Sequence, residues 1–234
     1  MLIEETHVDV ATQAGGDMRI FIFHPKIDGY PKAKFPGVLV FSEIYQVTGP
    51  VARFARQIAS QGYIVAAPSS YHEFIPADPL AYDVPGTDLG NDLKVKKKVS
   101  AYDEDATLTV DHLLSLPTCT GRIGATGMCL GGHLAYRAAL DKRVHATIFG
   151  KKDTHIPPAG RDLIRKTLHD AGVSFSFYEV AHAQHAFIRD ELSKGRYDPA
   201  IAGICFQMLL ELFGRVLRSD LGPSSAAGEL EHVC

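Results

Sequence analysis

Residues 122–140 read RIGATGMCLGGHLAYRAAL, and the centre of that run, GMCLGG at 127–132, decides how the chain is read. An apolar, β-like stretch, RIGATGM (122–128), passes into a helical pattern, GGHLAYRAALDK (131–142), with a cysteine among glycines at the junction. A cysteine that merely packs needs no glycine on either side. Gly127-Met128-Cys129-Leu130-Gly131 fits Gly-x-nucleophile-x-Gly with cysteine where serine is commoner, and a strand-to-helix junction is the context that motif requires. There the nucleophile is held in strained backbone, and side chains at the two flanking positions would strike neighbouring elements. The first N–H groups of the helix favour a thiolate and can stabilise an oxyanion. Two plainer readings compete. A glycine-rich turn can hold a dinucleotide pyrophosphate, but GATGMCLGG does not match G-x-G-x-x-G. A buried cysteine beside incidental glycines is the other.

Outward from this junction, strands alternate with helices. HVDVAT (7–12) and MRIFIFHP (18–25), separated by Gly15-Gly16, read as a hairpin. FPGVLVFSEI (35–44) and YIVAAPSSYH (63–72) are the near-continuous apolar runs of strands buried on both faces. Between them GPVARFARQIASQG (49–62) places Val51, Phe54, Ala55 and Ile58 at helical spacing. Residues 73–98, rich in Pro, Gly, Asp and Lys, read as a long surface excursion, with Lys94-x-Lys96-Lys97-Lys98 as a solvated helix face. YDEDATLTVDHLLSL (102–116) is a predicted helix with acids in its first turn. RVHATIFG (143–150) and VSFSFYEVA (173–181) are predicted strands. PPAGRDLIRKTLHDAG (157–172) and PAIAGICFQMLLELFGRVL (199–217) are predicted helices. The pattern implies an α/β fold, a doubly wound, mostly parallel sheet with one hairpin edge, in one domain over 1–218. The small, polar tail at 219–234 reads as disordered.

The chain of 234 residues, 46% hydrophobic and 22% charged, suits one large α/β domain. Its net charge of −3 gives no electrostatic case for nucleic acid or an anionic membrane surface. No apolar run is expected to span a bilayer, and MLIEETHVDV lacks the form of a secretory signal, so a cytoplasmic protein is expected. Cys119, Cys129, Cys205 and Cys234 form no CxxC pair, which argues against a zinc site or a disulfide framework.

An activated thiol needs a base, and the base an orienting group. Downstream of Cys129, FGKKDTH places Asp153 just past a strand's carboxyl end. VAHAQHAF places His182 and His185 in the loop after the last strand. The two histidines could be a metal pair, yet no third ligand has matching spacing. Glu43 ends an apolar strand at the edge where catalytic loops gather, and is either a paired site carboxylate or a rim residue.

With F-S-E-I at 41–44, G-M-C-L-G-G at 127–132, G-K-K-D at 150–153 and H-A-F-I-R at 185–189, the chain resembles the dienelactone hydrolase family, an α/β-hydrolase branch using Cys–Asp–His. The resemblance implies Cys129 as nucleophile, His185 as base, Asp153 as acid and Glu43 as a carboxylate near the resting thiol. It also implies backbone N–H groups of Leu130 and Ile44 as the oxyanion hole, and Arg189 as a substrate-carboxylate ligand. A second substrate arginine and a tyrosine near the start of the 102–116 helix are not evident. The implied activity is cysteine-dependent hydrolysis of small carboxylic esters or lactones, with no metal or other cofactor. The implied partner is the small-molecule substrate, with no nucleic acid or membrane, in a monomer or homodimer. The Cys129–Asp153 interval is short for the family by one strand-plus-helix unit, roughly 30 residues. A join between about Thr147 and Ile148 is one explanation, and a compact variant is the other. A non-catalytic relative with a disabled site, or a redox sensor using Cys129, are the alternative functions.

Overall fold

The computed structural model describes residues 1–13, 15–141, 143–144, 158–172, 180 and 183–218. Alternation of apolar side chains along the central strands builds two cores on opposite faces of one sheet. Strands β1 (Leu2–Ala11), β2 (Asp17–Lys26), β3 (Phe35–Phe41), β4 (Ile64–Pro68) and β5 (Cys119–Gly127) lie in the order β1-β2-β4-β3-β5. β3 pairs parallel with β4 and β5, and the β1–β2 hairpin joins β4 antiparallel. The sheet is therefore mixed, with a parallel centre and a hairpin edge. Of the predicted strand at 143–150, Val144 bridges Ile123 in parallel. Residues 145–150 of that strand, nearly all of 173–181 and the tail lie outside the described residues.

Leu39, Phe41, Ile64 and Ala66 point to one face, where helices α3 (Val99–Ser115) and α4 (Leu130–Ala138) bring Val110, Leu113, Leu134 and Ala135. Val38, Val40, Val65 and Ala67 point to the other, met by Val51, Phe54 and Ile58 of α1 (Gly49–Ala59). On that same face, after α5 (Pro158–Asp170), α6 (Pro199–Phe213) brings Leu209, Leu212 and Phe213. Period-2 strands between 3.6-period helices bury both sheet faces, the doubly wound arrangement read from the sequence.

Four expectations need correction. The excursion at 73–98 contains helix α2 (Val84–Lys96), opened by Asp83, whose side chain accepts from the Gly86 N–H at 2.8 Å. Its glycines and scattered apolar residues hide a helical period, and the cap is the stronger signal. Lys97 is not solvated. Its side chain is fully buried, paired with Asp105 at 2.6 Å and Glu73 at 2.9 Å. α3 begins at Val99, so Asp103, Glu104 and Asp105 fall in its second turn, where Asp105 serves Lys97 rather than the helix dipole. Finally, Pro199–Arg218 is long and apolar enough, by length and composition, to cross a membrane. Leu209, Leu212, Phe213 and Leu217 of this stretch pack into the second core, while Ile204 is exposed.

Candidate active site

Cys129 stands between β5 and α4 with φ 59° and ψ −122°, a conformation costly for any residue with a Cβ. The flanking glycines make this junction possible. A Cβ on Gly131 would overlap the Phe41 carbonyl and lie 2.6 Å from that of Ser42; one on Gly127 would overlap the Gly131 carbonyl. The turn is thus pressed against the end of β3, just before Glu43 and Ile44. Among the described residues the non-glycines with positive φ are Gln46, Cys129 and Ala186. All three adjoin the same site, so backbone strain is concentrated there.

His185 Nε2 lies 2.9 Å from Cys129 Sγ, within hydrogen-bond reach of a thiol. Turns closed by Phe187 N–H to the Gln184 carbonyl and Arg189 N–H to the Ala186 carbonyl shape the segment that carries this histidine. Leu130, as the first residue of α4, has an N–H outside the helix ladder, the property an oxyanion donor needs. Asp153 and His182 lie outside the described residues.

Beside the thiol–imidazole pair lies a buried charge cluster. Arg189 Nη1 donates to Glu43 Oε1 at 2.9 Å, with 4% and 0% of the two side chains exposed. The Tyr82 hydroxyl donates to the other carboxylate oxygen at 2.8 Å, and its ring lies under the Arg189 guanidinium at 4.5 Å. Burial pushes the Glu43 carboxyl above the usual range, against the opposing pull of Arg189, Tyr82 and the nearby His185. Burial also raises the Tyr82 phenol, reinforced by the Glu43 charge. The buried Gln46 side chain holds the covering loop, donating to the carbonyls of Pro76 and Asp78, both at 2.8 Å. Tyr82 and Gln46 were not singled out by sequence. Tyr82 sits in the excursion between β4 and α2, and only the folded loop brings it over Glu43.

The model of the dienelactone hydrolase family matches residues 26–149 and 142–217. The chain belongs to the dienelactone hydrolase family. A Saccharomyces cerevisiae protein named "Putative carboxymethylenebutenolidase" is 52% identical to it over 273 aligned positions, covering all of both chains. "Carboxymethylenebutenolidase 1" of Cupriavidus pinatubonensis is 23% identical over 88% of this chain and 94% of its own. The fold matches that of a dienelactone hydrolase-like promiscuous phosphotriesterase from metagenomic libraries, with TM-score 0.76 and 16% identity over 92% and 99% of the two chains. Aligning 273 positions with a dienelactone hydrolase family chain of 234 residues leaves at least 39 positions that it does not fill. The two family segments overlap at 142–149, within the Cys129–Asp153 interval read from the sequence as short for the family.

Proposed function

We propose that this protein hydrolyses carboxylic esters or lactones through Cys129. The observation that carries the reading is the 2.9 Å approach of His185 Nε2 to a thiol held at a strained strand–helix turn. The thiol proton passes to His185 as sulfur attacks the acyl carbon, forming a C–S bond and an oxyanion facing the Leu130 and Ile44 N–H groups. Collapse breaks the C–O bond, and the alcohol leaves with the proton from His185. Water then adds to the thioester, giving a proton to His185, and expulsion of sulfur releases the acid and regenerates the thiol. Family membership and relatives named carboxymethylenebutenolidase support the substrate class. Arg189 lines the same cavity as Cys129 and His185, which supports its reading as a substrate-carboxylate ligand.

In this reading Asp153 orients His185. Hydrolysis of p-nitrophenyl esters tests both assignments. Cys129→Ala is expected to abolish turnover with the fold intact by circular dichroism, and retained activity would overturn the mechanism. Asp153→Asn is expected to lower kcat at least about tenfold. An unchanged kcat would remove Asp153 from the machinery and leave a Cys–His pair.

A further inference from the structure

The cavity that holds Cys129 and His185 has a volume of about 710 Å³ and extends well past the thiol. Among its described lining residues there is no Asp or Glu, although the whole chain has 27 acids against 24 Lys and Arg. Six cationic side chains line it: Lys94, Lys97, Arg137, Arg189, Lys194 and Arg196. Three of them are neutralised from outside the cavity. Lys97 is held by Asp105 and Glu73, Arg137 by Asp103, and Arg189 by Glu43.

The other three have no carboxylate partner among the described residues. Lys94 reaches only the Asn91 side-chain oxygen, at 3.3 Å. Lys194 and Arg196 make no ion pair among the described residues, whereas Arg19, Arg53, Arg56 and Arg143 on the outer surface are all paired. Lys94 comes from α2, and Lys194 and Arg196 from the segment between His185 and α6, so two separate stretches direct uncompensated charge into one space. All three are partly buried. Leu130, Leu134, Leu163 and Ile164 supply apolar wall. A neutral chain gains nothing from partly desolvated cations, but one with an anionic end gains at each of them.

We propose that Lys94, Lys194 and Arg196 form an anion subsite for the far end of an ω-carboxylated acyl chain. Its ester carbonyl meets Cys129 and its methylenes lie on the leucine and isoleucine wall. The substrate class is then a half-ester of a dicarboxylic acid, recognised at a place separate from the Arg189–Glu43 pair. This assignment rests on the hydrolase reading above, and its test has one readout that does not.

The kinetic arm compares mono-p-nitrophenyl suberate with p-nitrophenyl octanoate, which has the same chain length and no charge. The ratio of kcat/KM, anionic over neutral, is expected to favour the anionic ester. It should fall by up to about fivefold for each of K94A, K194A and R196A, and at least about tenfold for the triple variant. About 0.5 M NaCl should lower the wild-type ratio. A ratio unmoved in the triple variant overturns the subsite. The binding arm titrates monomethyl suberate into Cys129→Ala by calorimetry, with and without the triple substitution. Binding weakened at least about tenfold by the triple substitution supports the subsite even if neither ester is turned over, an outcome that would sink only the hydrolase reading. No binding to Cys129→Ala, or equal binding to both proteins, sinks the subsite even if both esters are hydrolysed. Circular dichroism confirms folding, which partly exposed charge-to-alanine changes leave intact.

Discussion

Arg189 and Glu43, 146 positions apart, meet in a 2.9 Å hydrogen-bonded ion pair with almost no solvent access. Removing one partner strands the other charge in the interior, whereas removing both does not. Arg189→Met is therefore expected to destabilise the protein by about 3–5 kcal/mol in urea denaturation. The double variant Glu43→Gln/Arg189→Met should recover part of that loss. A double variant no more stable than the single would show that the pair is not energetically coupled.

The same pair sets a pH dependence. Burial raises the Glu43 pKa above the ordinary value of 4.5, and the arginine opposes the rise. Between 4.5 and the raised value the native state keeps a proton that the unfolded chain has released. Its contribution to stability therefore falls as pH rises through this window. In Arg189→Met the window widens, so that variant should gain stability on acidification from neutral pH toward 4.5 more steeply than wild type. Adding Glu43→Gln should remove the difference. The carboxylates of Glu5, Asp9, Asp141 and Glu191, held low in the folded state, act in the opposite direction and below their ordinary values.

Tyr82 gives Glu43 its second hydrogen bond and takes part in a 2.7 Å contact with the Thr48 hydroxyl. Tyr82→Phe keeps the ring over Arg189 and deletes only the hydroxyl. The expected cost is about 1.5–3 kcal/mol near neutral pH, the usual range for a hydrogen bond to a charged group, measured by chemical denaturation. The loss should shrink once Glu43 is neutralised as Gln.

Lys97 is buried among Asp105, Glu73 and His72, with its ammonium 4.9 Å from the centre of the Tyr102 ring. Lys97→Met would leave two nearly buried carboxylates without their cation. A loss of about 3–5 kcal/mol is expected. Stability equal to wild type would mean that the network rearranges around water.

Gly131 packs against the carbonyls that end β3. Gly131→Ala should cost about 1–3 kcal/mol through overpacking and displace the Leu130 amide from its place beside Cys129. Ester hydrolysis should fall further than stability alone explains, which parallel denaturation and kinetic measurements on the folded variant will show.

The sequence by itself determined the alternation of strands and helices, the hairpin edge and the glycine-flanked cysteine. Each depends on local period or on backbone conformations that few residues tolerate, and both are written in consecutive positions. It also marked Glu43, His182 and His185 as site candidates by their place after buried strands, and the family resemblance singled out His185 and added Arg189. Only the tertiary structure decided who meets whom. The closure of His185 on Cys129, the enclosure of Arg189 with Glu43 beneath Tyr82, and the burial of Lys97 all join residues from distant segments. So does the cavity wall, which has no acid among its described residues. Burial and pairing of charge are properties of assembled surfaces, and a lysine-rich stretch such as 94–98 reads the same in sequence whether its charges meet water, a carboxylate or a substrate.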